Sequence, residues 1–170
     1  MARVVLILGG NRGDVSRLPG EAIEQVSRGI GRVVQRSRCY ESEPWGFQAE
    51  ERFWNCVVEV ESDLSPDEVL AQIHRIEALL GRDRVQEQRE KEQSGERYTS
   101  RTMDIDILFY DQEVISTPSL QIPHPRLEER EFVLRPLCEL MPERQHPISG
   151  RRMQSLLEEL GAENNDEKKR

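Results

Sequence analysis

Asp104 and Asp106 carry the strongest chemical signal in this chain. They sit in Arg101-Thr102-Met103-Asp104-Ile105-Asp106-Ile107-Leu108-Phe109-Tyr110, where alternation and β-branched and aromatic residues predict a strand. Residues i and i+2 of a strand share a face, so both carboxylates point the same way. Met103, Ile105, Ile107 and Phe109 then form an apolar stripe on the other side. The carboxylates would stand roughly 6–7 Å apart. At an effective dielectric of about 20 they repel by roughly 2–3 kcal/mol. A divalent cation relieves that repulsion, and carboxylates that converge on Mg²⁺ usually handle phosphates. The tripeptide also suits a solvated face on which Arg101 or another arginine relieves it. From the tripeptide alone both readings stand.

Three further clusters bear on the choice. The stretch from residue 82 to 101 holds Arg82, Arg84, Arg89, Lys91, Arg97 and Arg101 against Asp83, Glu87, Glu90, Glu92 and Glu96. Its composition fits a solvated loop. A structureless loop longer than about 12–15 residues is also often a lid, and this one runs straight into the Asp-x-Asp strand. Arginines on a lid can neutralise phosphate charge and exclude water, and Tyr98 can stack on a flat ligand. In Ile122-Pro123-His124-Pro125, two prolines present His124 rigidly, with Arg126 and Arg130 following. That set suits phosphate oxygens or a stiff surface turn. Asn55 lies on the polar face of a strand whose other face is apolar. Its amide can read the edge of a heterocycle or simply face water. His74 and His146 stand isolated and read as structural. The chain has no G-x-x-x-x-G-K-[ST] loop and no kinase-type HRD or DFG, which excludes P-loop NTPases and protein kinases of the usual kind.

The elements that must position these groups are legible in part. Val4 to Leu8 is a continuous apolar run, so a buried strand, and Gly9 to Asp14 a loop. Ala22, Ile23, Val26 and Ile30 keep helical spacing, with Gly29 and Gly31 as the stop. Val33 to Tyr40 reads as one strand and Glu43 to Gly46 as a loop. In Phe53 to Glu61, Trp54, Cys56, Val58 and Val60 face inward while Asn55, Glu59 and Glu61 face the other way. Ser65-Pro66-Asp67-Glu68 supplies an N-cap, a proline at the first helical position and a glutamate three after the cap. A helix follows through Val69, Leu70, Ile73, Ile76 and Leu80 to Gly81. Asp111-Gln112 can turn the Asp-x-Asp strand into a short partner, Glu113 to Ser116. Pro118, Pro123, Pro125, Pro136, Pro142 and Pro147 make the remainder loop-rich. A last helix near Arg151 to Leu160 is capped by Gly161, before a flexible polar tail over residues 162–170.

The order strand-helix-strand-strand-helix-strand predicts an α+β fold. It is a ferredoxin-like βαββαβ sandwich with a mostly antiparallel sheet, extended by a C-terminal hairpin and helices. One domain over residues 1–161 is expected from the length. With 24 Lys+Arg against 32 Asp+Glu the net charge is −8, which argues against non-specific binding to nucleic acid or a membrane surface. Cys39, Cys56 and Cys138 have no metal-type spacing and fit a reducing compartment. The N-terminal apolar run is too short for a signal peptide, and no stretch reaches transmembrane length. A soluble, cytoplasmic monomer is expected.

Read together, the clusters resemble the family of 6-hydroxymethyl-7,8-dihydropterin pyrophosphokinases of the folate pathway. The resemblance is carried by Gly9-Gly10-Asn11, Tyr40-Glu41-Ser42-Glu43-Pro44-Trp45-Gly46, Phe53-Trp54-Asn55, Arg75-Ile76-Glu77 and Gly81-Arg82-Asp83-Arg84. It continues through Arg101 to Leu108, Ile122-Pro123-His124-Pro125-Arg126 and Arg130-Glu131-Phe132-Val133-Leu134, and so spans residues 4–147. The R-T-x-D-[IL]-D-[IL] strand followed at this distance by P-H-P-R is far more specific than either motif alone.

The resemblance implies ATP as donor, two Mg²⁺ ions and transfer of the β,γ-pyrophosphoryl group to the pterin's 6-hydroxymethyl oxygen, with AMP released. It implies Asp104 and Asp106 as ligands of both metals, and Arg84 and Arg101 as catalytic lid arginines. His74, Glu77, Arg82, Arg84, Tyr98, Arg101, Ile107, His124 and Arg130 would hold ATP. Ser42, Glu43, Pro44, Trp45, Phe53, Asn55 and Phe132 would line the pterin site, with Phe53 and Phe132 sandwiching the ring. The chain departs from the family pattern at Glu43, where proline is common, and at Ser119, Pro125, His74 and Tyr98. Its lid is also longer, by residues 88–95. Two other classes compete. A non-catalytic ferredoxin-like binding module leaves the carboxylate pair and lid unexplained. An RNA-binding ferredoxin-like domain needs a basic face and an RNP motif that this chain lacks.

Overall fold

The computed structural model describes residues 1–10, 16–41, 54–80 and 103–168. The elements are β1 (Ala2–Gly10), α1 (Leu18–Gly29), β2 (Arg32–Arg36), β3 (Tyr40–Glu41), β4 (Trp54–Ser62) and α2 (Pro66–Leu80). They continue with β5 (Met103–Tyr110), β6 (Ile115–Ser116), β7 (Gln121–Ile122), α3 (Glu131–Leu140) and α4 (Met153–Lys168). Among the described residues the main sheet has the order β2-β4-β1-β5, with β3 also paired to β4, and its pairs are antiparallel. That is the strand order of the ferredoxin-like sandwich.

β1 is apolar without alternation because helices cover both its faces. Val4, Leu6 and Leu8 enter one core with Val26 of α1 and Val69, Ile73 and Ile76 of α2. Val5 and Ile7 enter a second core with Val133, Leu134 and Leu137 of α3 and Met153 and Leu156 of α4. A strand buried on both sides loses the period-2 signature. β4 shares this arrangement: Trp54, Cys56, Val58 and Val60 join the first core, and Val57 the second.

Local signals explain several boundaries. The Ser65 hydroxyl accepts from the Glu68 amide at 3.2 Å, and the Glu68 carboxylate accepts from the Ser65 amide at 3.0 Å. This reciprocal capping box starts α2 as its sequence predicts. At Gly31, between α1 and β2, an added Cβ would lie 1.9 Å from the Glu61 carbonyl oxygen, so the chain crosses there only with glycine.

Five sequence expectations are corrected. The predicted strand Val33 to Tyr40 is interrupted between β2 and β3, and a one-residue register change relative to β4 separates the two pairings. Phe109 does not continue the stripe of Met103, Ile105 and Ile107. The β1–β5 register shifts so that Val5 faces Phe109 and Leu6 faces Ile107, leaving Leu108 as an extra residue. Such a bulge turns neighbouring side chains to one side. Leu108 and Phe109 therefore both enter the second core, where Arg144 stacks 4.2 Å from the Phe109 ring, and Tyr110 returns to the first. The segment after the Asp111 turn does not pair with β5; Ile115 and Ser116 pair with Ile122 and Gln121 of β7. The proline-rich stretch contains α3, with Pro136 buried inside it, because an amphipathic face of Val133, Leu134 and Leu137 packs on the sheet. Gly161 does not end the last helix, which runs on to Lys168.

Candidate active site

The register across three strands builds the floor of one cavity. Gly9 of β1 faces Asn55 of β4 on one side and Asp104 of β5 on the other, and Ile7 faces Asp106. Side chains at 7, 9, 55, 104 and 106 thus share the sheet face that α3 also packs against. Glycine at position 9 leaves the middle of the row Asn55–Gly9–Asp104 without a side chain. A cavity of about 50 Å³ opens there, lined by Ile7, Gly9, Asn55, Asp104, Asp106, Leu108, His124, Arg130, Phe132 and Val133. Room of that size takes about four water-sized groups.

His124 reaches the cavity because its backbone is tied to the edge of β5: its amide donates to the Leu108 carbonyl at 3.2 Å. Its Nδ1 accepts from the Arg126 amide at 3.3 Å. A neutral imidazole that accepts at Nδ1 carries its proton on Nε2, so it offers a donor to an anion. Burial pushes the His124 pKa down. The Asp106 charge opposes that shift, and Arg130 and Arg126 reinforce it.

Arg130 and Phe132 flank the start of α3, and the Arg130 guanidinium lies 5.5 Å from the Phe132 ring centre. That helix end adds the positive pole of its dipole to the same place. Asp104 is half-buried and Asp106 exposed. The arrangement can hold a polyanion: Arg130 and a neutral histidine donor face a carboxylate pair. The pair in turn needs a cation before phosphates can approach.

Among the described residues no group of three or more His, Cys, Asp and Glu side chains could hold a metal ion unaided. A two-carboxylate site still suits Mg²⁺. That ion prefers oxygen ligands, keeps several waters and commonly binds through one or two carboxylates plus substrate phosphates. The donor set therefore fits a metal that arrives with a phosphate ligand.

Six sequence-selected residues, Asn55, Asp104, Asp106, His124, Arg130 and Phe132, line this cavity together. Three do not. His74 is exposed on α2. Glu77 is buried, and its carboxylate accepts from the Ile105 amide at 3.0 Å. The Ile107 side chain lies in the core under α1 and α2, on the opposite sheet face. Ser42, Glu43, Pro44, Trp45, Phe53, Arg82, Arg84, Tyr98 and Arg101 lie outside the described residues. Sequence reasoning passed over Ile7, Gly9, Leu108 and Val133 as site residues. The sequence places Gly9 and Gly10 in a loop, whereas both belong to β1; a glycine inside a strand often marks a close approach.

A family model described as 7,8-dihydro-6-hydroxymethylpterin-pyrophosphokinase (HPPK) matches residues 5–142. The chain belongs to the HPPK family. A 2-amino-4-hydroxy-6-hydroxymethyldihydropteridine pyrophosphokinase from Porphyromonas gingivalis is 38% identical over 143 residues, covering 84% of this chain and 92% of the relative. One of the same name from Aquifex aeolicus is 39% identical over 148 residues, covering 87% and 86%. Among solved structures, the wild-type Plasmodium falciparum HPPK-DHPS with pteroate superposes with a TM-score of 0.75 at 16% identity. That match covers 99% of this chain but 44% of the longer Plasmodium chain, and it speaks for the fold alone. HPPK membership makes the chain an enzyme, an ATP-dependent diphosphotransferase of folate biosynthesis. The cavity residues Ile7 to Val133 all fall inside the matched HPPK span. No helix among the described residues is long and apolar enough to cross a membrane.

Proposed function

We propose that this cavity transfers the β,γ-pyrophosphoryl group of ATP to the 6-hydroxymethyl oxygen of 6-hydroxymethyl-7,8-dihydropterin, with Mg²⁺ and release of AMP. The carrying observation is the convergence of Asp104, Asp106, His124, Arg130, Phe132 and Asn55 on one opening, from β4, β5, the loop after β7 and the start of α3. The names of the relatives from Porphyromonas gingivalis and Aquifex aeolicus support the pterin as substrate.

Asp104 and Asp106 hold the metal. When bound it would supply charge neutralisation for the phosphates. His124, neutral and donating from Nε2, and Arg130 bind triphosphate oxygens from the other wall. Asn55 hydrogen-bonds the edge of the pterin, and Phe132 stacks on its face; Phe53 is assigned to the opposite face by the family pattern, with Ser42, Glu43, Pro44 and Trp45 beside it. The family pattern assigns Arg84 and Arg101 to the phosphates.

In the transfer, the bond between the hydroxymethyl oxygen and the β-phosphorus forms while the bond from that phosphorus to the α-phosphate oxygen breaks, leaving AMP. The hydroxyl proton passes to Asp106, the exposed member of the pair. No covalent enzyme intermediate is required, so catalysis is positioning and electrostatics.

The test is AMP release from ATP with and without the dihydropterin, across a Mg²⁺ titration. AMP should appear only when all three are present, and Asp106→Ala should abolish it in a folded protein. Accumulation of ADP in place of AMP, or full activity in Asp106→Ala, would overturn the assignment.

A further inference from the structure

We propose that Glu77 is a positioning residue: its carboxylate closes the open edge of β5 and fixes the backbone between Asp104 and Asp106. This rests on the reading of those two residues as the metal carboxylates.

β5 is the last strand of the sheet among the described residues, hydrogen-bonded to β1 on one side. Every second amide and carbonyl on its other side needs a partner from outside the sheet, because buried backbone groups are almost always bonded. Two such partners are present. The Ile105 amide donates to Glu77 Oε2 at 3.0 Å in a buried environment. The Leu108 carbonyl accepts from the His124 amide at 3.2 Å. The edge is thus held on both sides of Asp106, once by α2 and once by the segment that carries His124.

Glu77 is only 6% exposed and sits at the end of the inward face of α2, after Val69, Ile73 and Ile76. A leucine would suit that face by pattern. Burying a carboxylate there is costly unless it is hydrogen-bonded. What the carboxylate does that leucine cannot is accept from Ile105. Ile105 lies between the two aspartates, so fixing its amide fixes the peptide planes from which both Asp side chains depart. Mg²⁺ demands near-ideal octahedral geometry, so an error in those directions weakens the metal site.

Two variants separate this role from direct contact with the nucleotide, the role that family resemblance implies. Glu77→Gln keeps the reach and an acceptor oxygen but loses the charge. Glu77→Asp keeps the charge but is one methylene too short. Exchange of the Ile105 amide is followed by NMR on the ligand-free protein, and Mg²⁺ is titrated calorimetrically into protein saturated with ATP. Glu77→Asp should speed Ile105 exchange about 10- to 100-fold, as expected when a buried amide loses its partner. It should raise the Mg²⁺ requirement about tenfold, on the scale set by residues that orient metal ligands, with the KM for dihydropterin unchanged. Glu77→Gln should stay near wild type in both readouts. The proposal is overturned if Ile105 exchange is the same in all three proteins. It is also overturned if Glu77→Gln loses Mg²⁺ response while Glu77→Asp keeps it, since the charge and not the reach would then matter. If wild-type protein binds no Mg²⁺ with ATP, the metal reading fails, and the Ile105 exchange rates still decide whether Glu77 holds the edge.

Discussion

Replacing Gly9 by valine should make the protein more stable and nearly inactive. Among the described residues the only glycine with positive φ is Gly150. The backbone at Gly9 therefore accepts any L-residue, and its glycine serves space. Glycine inside a strand costs about 0.5–1 kcal/mol relative to alanine, and β-branched residues gain further on a scale of about 1 kcal/mol. A gain of about 1 kcal/mol raises the Tm of a chain this size by about 2–4 °C. Position 9 shares its face with Ile7, and its cross-strand neighbours are Asn55 and Asp104. Paired Cβ atoms in an antiparallel sheet stand about 4.5–5.5 Å apart. The valine methyls would therefore enter between the amide and the carboxylate. Three carbons take most of a cavity of about 50 Å³. AMP release should fall at least about 100-fold, equivalent to about 2.7 kcal/mol of transition-state stabilisation, and Gly9→Ala should fall between. Calorimetric unfolding and the AMP assay read the two effects separately. Activity within about twofold of wild type, or a Tm lowered by more than about 10 °C, would refute the reasoning. The first outcome would mean that acceptor and phosphates do not meet at this row, the second that position 9 is not open.

Two further predictions follow from the titrating groups. Burial lowers the pKa of both His124 and His146 from the ordinary value of 6.5. The unfolded chain therefore takes up these protons before the folded protein does. Their contribution to stability is complete above about pH 6.5 and is lost as pH falls from there through the folded values. The Tm should drop between about pH 7 and about pH 5, and His146→Gln should flatten part of that slope; an unchanged slope in that variant would contradict it. Separately, the neighbouring Cys56 thiol draws the Cys39 pKa down to about 7, whereas burial pushes Cys138 up to about 11. Cys39 itself raises the pKa of the buried Cys56. Iodoacetamide at neutral pH should alkylate Cys39 first, as read by peptide mass spectrometry, and prior labelling of Cys138 would show the reasoning wrong.

The candidate site was legible where chemistry depends on residue type and short spacing. Asp104 and Asp106 share a face because a strand has period two. His124 and Arg130 were marked by their prolines and charge, and Asn55 by its place on an alternating strand. The parts that escaped depend on long-range register. Phe109 follows the alternation rule in sequence, yet the extra residue at Leu108 moves it to the other core. Pro136 speaks locally for a loop, yet the packing of Val133, Leu134 and Leu137 against the sheet outweighs it. Gly161 speaks for a stop, and the helix runs through it.

The family, the enzyme class and the identity of the charged groups were determined by the sequence alone, because they rest on which side chains are present and on their order along the chain. Tertiary structure decided which of those groups meet. Sheet register set Asn55, Gly9 and Asp104 in one row, α3 brought Arg130 and Phe132 over it, and the tie from His124 to Leu108 closed the wall. It also set the Ile107 side chain in the core on the opposite sheet face and the Glu77 carboxylate against the edge of β5. Those placements follow from pairing between segments far apart in the chain, where each partner's local pattern is silent about the other.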